Sequence, residues 1–325
     1  MPSPRACSLF SRSDGFTFGY KVLSRHLLPF KTPLVLVTGL IDWFPLAASL
    51  ALERPVLVFD NRGIGSSTIP ASKKDEQYNV QDMANDAISL IQHLNWTRID
   101  ILGFSMGGMI VSTLLVTPHL PFTVEHAILT ATSAKRAHSD LLKAIPQGGG
   151  GTGKELSREE KRKLVEPFTY VNYSPEFVKN PKNRALLDRR INESIDSRRP
   201  ARTVQQQVAV IAGYDVRKQL PSIPSTLPIL ILHGTLDRSV YYTEAKYLTQ
   251  GLKHAKLQTF EGVGHMQVPL YSPPCFYWRL IGDNDNRWYD YYTTSYWSTL
   301  LNTFLSDPKG GDVSSLNAPT PSARL

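Results

Sequence analysis

A lone serine stands between glycines in "GFSMG" at 103–107. The apolar run "RIDILGF" (98–104) leads into it and "MGGMIVSTLL" (106–115) leads away. A serine in that place packs nothing and caps nothing well. A hydroxyl held out on a sharp strand-to-helix turn suits an exposed nucleophile, and flanking glycines remove the Cβ clashes that such a turn creates. The hydroxyl is a weak nucleophile until a base takes its proton. The base expected is a histidine oriented by a carboxylate, in the chain order serine, acid, histidine. Of eight histidines, His265 in "GVGHM" lies in a glycine loop directly after the last apolar run. That is a carboxyl edge, where a parallel sheet gathers its site. Asp237 closes "ILILHGTLD" at a similar edge and is the candidate acid. Asp60 in "FDNRG" is the rival carboxylate, but it precedes Ser105 and breaks the order. His233 and the remaining histidines suit structural or surface positions.

Attack by Ser105 on a carbonyl would create an oxyanion that needs two backbone N–H donors. Met106, next after the serine, should supply one. Leu40, in the loop after "TPLVLVTG" (32–39), should supply the other, with Gly39 allowing close approach. His-x-x-x-His and Cys-x-x-Cys spacings are absent, so no metal is expected. No dinucleotide or other cofactor is expected either.

These residues need a frame that brings distant loops to one edge. "TPLVLVTG" (32–39), "RPVLVFDNRG" (54–63), "RIDILGFS" (98–105), "VEHAILTATS" (124–133), "PILILHGTLD" (228–237) and "AKLQTFEGVGH" (255–265) read as strands. A first strand is expected at 16–20. Between them, 79–95 places Val80, Met83, Ala87, Leu90, Ile91 and Leu94 at helical spacing, and 243–252 and 295–305 are further helices. Strand and helix alternate, which predicts an α/β fold with a doubly wound, mostly parallel sheet. The alternation stops after Ser133, at a glycine tract followed by charged helices. We therefore expect a discontinuous core at 1–134 and 226–306, a helical cap inserted at 135–225, and a disordered Pro/Gly/Ser-rich tail at 307–325.

The chain resembles the α/β-hydrolase superfamily. The resemblance is carried by "GFSMGG" at 103–108, by a "D-x-R-G-x-G-x-S"-type turn that opens at Asp60 with "DNRGIGS", by Asp237 after a late strand, and by Gly264-His265. It covers roughly 14–306. It implies Ser105 as nucleophile, Asp237 as acid, His265 as base and a helical cap over the site. Thr38 stands where the family often has a histidine at the oxyanion loop, which alters the pocket wall and spares the backbone donor. The aromatic stretch at 271–297 is longer than the usual link to the last helix. It would either roof the site or pack on the surface.

The 325 residues fit one large α/β domain or two small ones, and no apolar run of 18 residues is present to span a membrane. No secretory signal is legible in the first residues, and two distant cysteines make no disulfide framework, so a reducing compartment is expected. Asn95, Asn172 and Asn192 each open an Asn-x-Ser/Thr pattern, read here as chance. The net charge of +8 is concentrated: 135–218 holds 18 Lys/Arg against 10 Asp/Glu, and the rest of the chain 18 against 18. That excess is either a solvated face or an attraction for an anionic substrate. Nucleic acid is not expected, since no basic–aromatic motif accompanies it. The ending Ala323-Arg324-Leu325 has the chemistry of a peroxisomal address, so peroxisomal location and an import receptor as partner are expected, with a cytoplasmic location as the alternative. Enzymes with such endings resemble those of fungal lipid or secondary-metabolite pathways, toxin pathways included. The expected activity is a serine hydrolase cleaving an ester or thioester of a small or acyl-chain metabolite. The same residues would serve a carbon–carbon bond hydrolase or a cofactor-free haloperoxidase-type enzyme. A non-catalytic small-molecule binder on the same fold is the further alternative.

Overall fold

Short runs of valine, leucine and isoleucine set the layers of the molecule. The computed structural model describes residues 7–38, 43, 46–144, 156–196, 201–265 and 291–316. The strands are β1 (Ser8–Ser11), β2 (Thr17–Leu23), β3 (Leu34–Val37), β4 (Val56–Phe59), β5 (Arg98–Phe104), β6 (Thr123–Thr130), β7 (Ile229–Gly234) and β8 (Lys256–Phe260). They form an eight-stranded sheet in the order β1-β2-β4-β3-β5-β6-β7-β8. β1 and β2 are antiparallel to each other and β2 to β4; every other neighbouring pair is parallel. The expected mostly parallel α/β sheet is what forms.

Every residue of β3, β4 and β7 is buried. That is the signature of strands covered by helices on both faces. Alternate side chains point to opposite faces. Val35 and Val37 join one core with Met83, Leu90, Ile91, Ile110 and Leu114. Leu34 and Leu36 join the other with Trp43, Leu50, Leu300 and Phe304. The covering helices are α1 (Leu46–Leu50), α2 (Val80–His93), α3 (Met106–Leu115) and, later in the chain, α9 (Thr243–Gly251) and α10 (Thr294–Leu305). Helix α2 starts where a capping box can close: Asn79 Oδ1 accepts the Asp82 amide at 3.0 Å, and Asp82 Oδ2 accepts the Asn79 amide at 2.8 Å. No helix among the described residues is long and apolar enough to cross a membrane.

The segment between β6 and β7 holds α4 (Leu141–Ala144), α5 (Arg158–Val171), α6 (Pro175–Lys179), α7 (Arg184–Asp196) and α8 (Ala201–Ala212). The chain rejoins the core sooner than the expected boundary at 225. Tyr214, Val216, Leu220 and Ile223 are buried in the core beside α3, and Tyr214 Oη donates to the Met109 carbonyl at 3.3 Å. Apolar side chains spaced among polar ones make this return path part of the core.

The tail departs from expectation as well. Residues 307–316 are packed rather than disordered. Val313 is 3% exposed, the Gly311 amide donates to the Phe304 carbonyl at 3.0 Å, and His126 Nε2 meets the Asp307 carbonyl at 2.8 Å. Backbone groups and one valine anchor it, and neither registers in a polar composition. The 266–290 segment, which holds most of the aromatic stretch, and the ending Ala323–Leu325 lie outside the described residues.

Candidate active site

After β3 the chain places β4 on one side, then crosses to place β5 on the other. This reversal opens a crevice at the carboxyl ends of β3 and β5. Ser105 sits there, between the last residue of β5 and the first of α3. Its backbone has φ 53° and ψ −120°, outside the regions a serine ordinarily adopts. The surroundings hold it there: the Ser105 amide donates to the Thr130 carbonyl at 2.9 Å, and Thr132 Oγ1 donates to the Ser105 carbonyl at 2.7 Å. The two glycines are needed for close approach. A Cβ on Gly103 would overlap the Gly107 carbonyl, and a Cβ on Gly107 would overlap that of Val37. Strand, turn and helix can meet this tightly only without those side chains. Met106 opens α3, so its amide belongs to the first helical turn, whose N–H groups lack intrahelical partners. Val37 lies in register with Gly103, which brings the start of the loop after β3 to the serine turn. Leu40 itself lies outside the described residues.

Asp237 follows β7 and is 4% exposed. Its Oδ1 accepts the amides of Ser239 at 2.9 Å and Val240 at 2.7 Å. Its Oδ2 lies 2.7 Å from His265 Nδ1. Burial pushes this carboxyl's pKa upward. The facing imidazole of His265 and the hydrogen bonds outweigh burial and hold it down to about 2. His233 Nε2 is 3.4 Å from the same oxygen but 2.8 Å from the Val240 carbonyl. The shorter contact is the hydrogen bond, with Nε2–H donating, so His233 braces the turn that carries Asp237.

His265 is 3% exposed, and its ring lies 4.9 Å, centroid to centroid, from that of Phe104, the residue before the serine. With Nδ1 committed to Asp237, Nε2 is the nitrogen that can accept a proton. The structure thus brings Asp237 and His265 into one pair beside the Ser105 turn. Among described residues, no three His, Cys, Asp or Glu side chains converge as a metal site would require.

The rival acid has a different task. Asp60 Oδ2 accepts the Ser66 amide at 2.9 Å, and its carbonyl accepts Ser67 Oγ at 2.6 Å, so it closes its own turn. Arg62 in that turn is buried, bonded to Asp86 at 2.6 and 2.8 Å, with its guanidinium over the rings of Phe16 and Tyr78. A second histidine–carboxylate pair, His126 Nδ1 and Asp100 Oδ1 at 2.7 Å, belongs to the opposite end of the sheet. Asp100 lies five residues before Ser105 on the same strand, about 16 Å away at strand rise, so this pair cannot serve the serine. Two residues touching the site went unread in the sequence: Asn172, whose carbonyl accepts the His265 amide at 3.0 Å, and Ser239. Asn172 stands in one of the Asn-x-Ser patterns taken as chance, and no other signal marks it.

The profile of the family described as alpha/beta hydrolase fold matches residues 32–269. A proline iminopeptidase of Lactobacillus delbrueckii subsp. lactis is 26% identical over 250 residues, which cover 71% of this chain and 80% of that protein. The 3-oxoadipate enol-lactonase 2 of Acinetobacter baylyi is 25% identical over 207 residues, 63% of this chain and 70% of its own length. Among solved structures, an esterase from Exiguobacterium antarcticum shares the fold, with a TM-score of 0.60 at 22% identity over 80% of this chain and 92% of that one. With the family matched across most of its length, the chain belongs to the alpha/beta-hydrolase fold family and is a hydrolase.

Proposed function

We propose that the chain cleaves an ester or thioester of a small or acyl-chain metabolite through a Ser105–His265–Asp237 triad. The observation that carries this reading is the 2.7 Å Asp237–His265 pair set against the serine turn. Ser105 Oγ attacks the carbonyl carbon while His265 Nε2 takes the hydroxyl proton. Asp237 fixes the imidazole tautomer and stabilises the imidazolium that forms. The amides of Met106 and Leu40 receive the oxyanion. His265 then protonates the leaving alcohol or thiol, and an acyl-serine remains. Water, deprotonated by His265, attacks the acyl carbon, and the imidazolium returns that proton to Ser105 Oγ as the acyl–Oγ bond breaks and the acid leaves. Relatives named as an enol-lactonase and an esterase support carboxyl-ester chemistry. The helices between β6 and β7 serve as the cap. The ending Ala323-Arg324-Leu325 serves as a peroxisomal address read by an import receptor.

The test is a fluorophosphonate probe with the modified residue mapped, followed by turnover of p-nitrophenyl esters and acyl-CoA thioesters of graded chain length. Labelling at Ser105 with ester or thioester turnover is expected. A pure protein that neither labels nor turns over any of them would favour the binding-protein reading. For the address, a fluorescent protein fused ahead of residue 1 should give puncta that become diffuse when 323–325 are removed. A diffuse full-length fusion would refute it.

A further inference from the structure

The turn between α5 and α6 is pressed into the loop that carries His265. A Cβ on Gly264 would lie 2.7 Å from the Asn172 carbonyl oxygen and 2.9 Å from the Ser174 amide nitrogen, so glycine is required there. The close approach lets the His265 amide donate to the Asn172 carbonyl at 3.0 Å. The side chain of the same residue reaches the other loop. Asn172 Oδ1 accepts Ser239 Oγ at 2.7 Å, and the Ser239 amide donates to Asp237 Oδ1 at 2.9 Å. Asn172 Nδ2 is held by the Phe168 carbonyl at 3.0 Å, which fixes the carboxamide's orientation. Asn172 is 6% exposed and Ser239 4%, so these bonds are shielded from water. One residue of the helical insert therefore holds the loop of the base through its carbonyl and the loop of the acid through its carboxamide.

We propose that Asn172 is a positioning residue that sets the Asp237–His265 pair, so that the insert takes part in organising catalysis as well as covering the site. The inference rests on the triad reading above. A base–acid pair works only when both loops hold register, and a displacement of about 1 Å can cost about 100-fold in rate. Ser239 is the link in this chain of bonds. Without its hydroxyl contact to Asn172, the turn that presents two amides to Asp237 loses its outer anchor. The Asn-Tyr-Ser pattern at 172–174 thereby acquires a role unrelated to glycosylation, since its amide nitrogen is buried and bonded.

The experiment compares wild type, Ser105→Ala, Ser239→Ala, Asn172→Ala and the Ser239→Ala/Asn172→Ala double variant. The readouts are fluorophosphonate labelling rate, steady-state kinetics on a p-nitrophenyl ester that wild type turns over, and Tm. Ser239→Ala and Asn172→Ala should each lower kcat by about 10- to 100-fold with KM within about twofold. The double variant should be little worse than the poorer single one, because both remove the same link. In Ser239→Ala the loss should persist in kcat per probe-titrated active site, because a loosened Asp237 orients His265 less well. A purely structural defect would lower Tm and the fraction of titratable sites, and leave kcat per titrated site in place. Ser239→Ala preserves every backbone bond of both loops, so it decides the matter even where Asn172→Ala does not fold. Ser105-dependent labelling of wild type, with Ser239→Ala at wild-type labelling rate and wild-type kcat per titrated site, overturns the positioning role alone. Absence of Ser105-dependent labelling in wild type overturns the triad and the inference with it.

Discussion

Asp237 is the buried carboxylate on which the proposed triad rests. Its three hydrogen bonds, from the Ser239 and Val240 amides and from His265 Nδ1, favour the ionised form and orient the group as well. Asp237→Asn keeps the shape but presents an amide where His265 needs an acceptor, which favours the wrong tautomer. A loss of about four orders of magnitude in kcat is expected, and Ser105→Ala or His265→Ala should cost at least about a thousandfold. Steady-state kinetics on any turned-over ester checks this, and near-normal turnover in Asp237→Asn would remove it from the triad. The same group gives a pH prediction. Its folded pKa, about 2, lies below the ordinary value of 3.8, so the unfolded chain binds the proton more readily. The resulting stability is present above the unfolded value and is lost as pH falls from about 4 towards about 2, a difference on the order of 2 kcal/mol. Denaturant unfolding at pH 5 and pH 3 should therefore show a larger acid loss for wild type than for Asp237→Asn. Equal losses would show that the depressed ionisation is not linked to folding. The placing of Ser105, Asp237 and His265 at strand ends was legible because chain order and glycine context mark them. Asn172 was not, because a polar residue after a charged helix carries no period, and its role exists only once the insert folds back on the His265 loop.

At the scale of elements, legibility follows how much of the stabilisation is carried by side-chain pattern. The buried strands and α2 announce themselves, since their apolar residues repeat at strand or helix spacing; Val80, Met83, Ala87, Leu90 and Ile91 are buried and Leu94 half-buried. The stretches at 214–223 and 307–316 do not, since backbone carbonyls and isolated apolar residues hold them. Val313 and the bonds from His126 and Lys256 to the carbonyls of Asp307 and Gly310 anchor the tail. Burying one valine is worth about 1.5–3 kcal/mol. Truncation after Ser306 should thus lower Tm by about 5 °C or more, whereas truncation after Leu316 should leave it within about 1 °C. Thermal unfolding by circular dichroism separates them, and identical Tm values for the two truncations would mean that 307–316 contribute nothing to the fold.

At the scale of the whole molecule, the clustered positive charge carries a prediction about how an anionic substrate arrives. Not every charge of the insert lies at the surface: Arg190 is buried and 3.2 Å from Glu193. Other arginines of the insert stand in exposed pairs, such as Arg158 with Asp196 at 2.8 Å and Arg184 with Asp188 at 3.2 Å. Such pairs add little stability. They also leave the segment's excess intact, because attraction at a distance follows net charge rather than pairing. Lys179 and Lys182 are exposed just beyond the turn that touches the His265 loop. A positive surface there would raise the encounter rate of an anionic substrate, and salt would screen it beyond about 8 Å at physiological ionic strength. An ester with a terminal carboxylate should therefore lose several-fold in kcat/KM between about 10 mM and 150 mM salt, where the Debye length shrinks from about 30 to about 8 Å. Its neutral counterpart should change little. Lys179→Glu/Lys182→Glu should shrink the salt response of the charged ester and leave neutral-ester turnover untouched, since neither lysine contacts the Asp237–His265 pair in the bonds described. Equal salt sensitivity of the two esters would reduce the charge excess to a solvated face, and the insert's contribution would then be confined to the contacts that Asn172 makes.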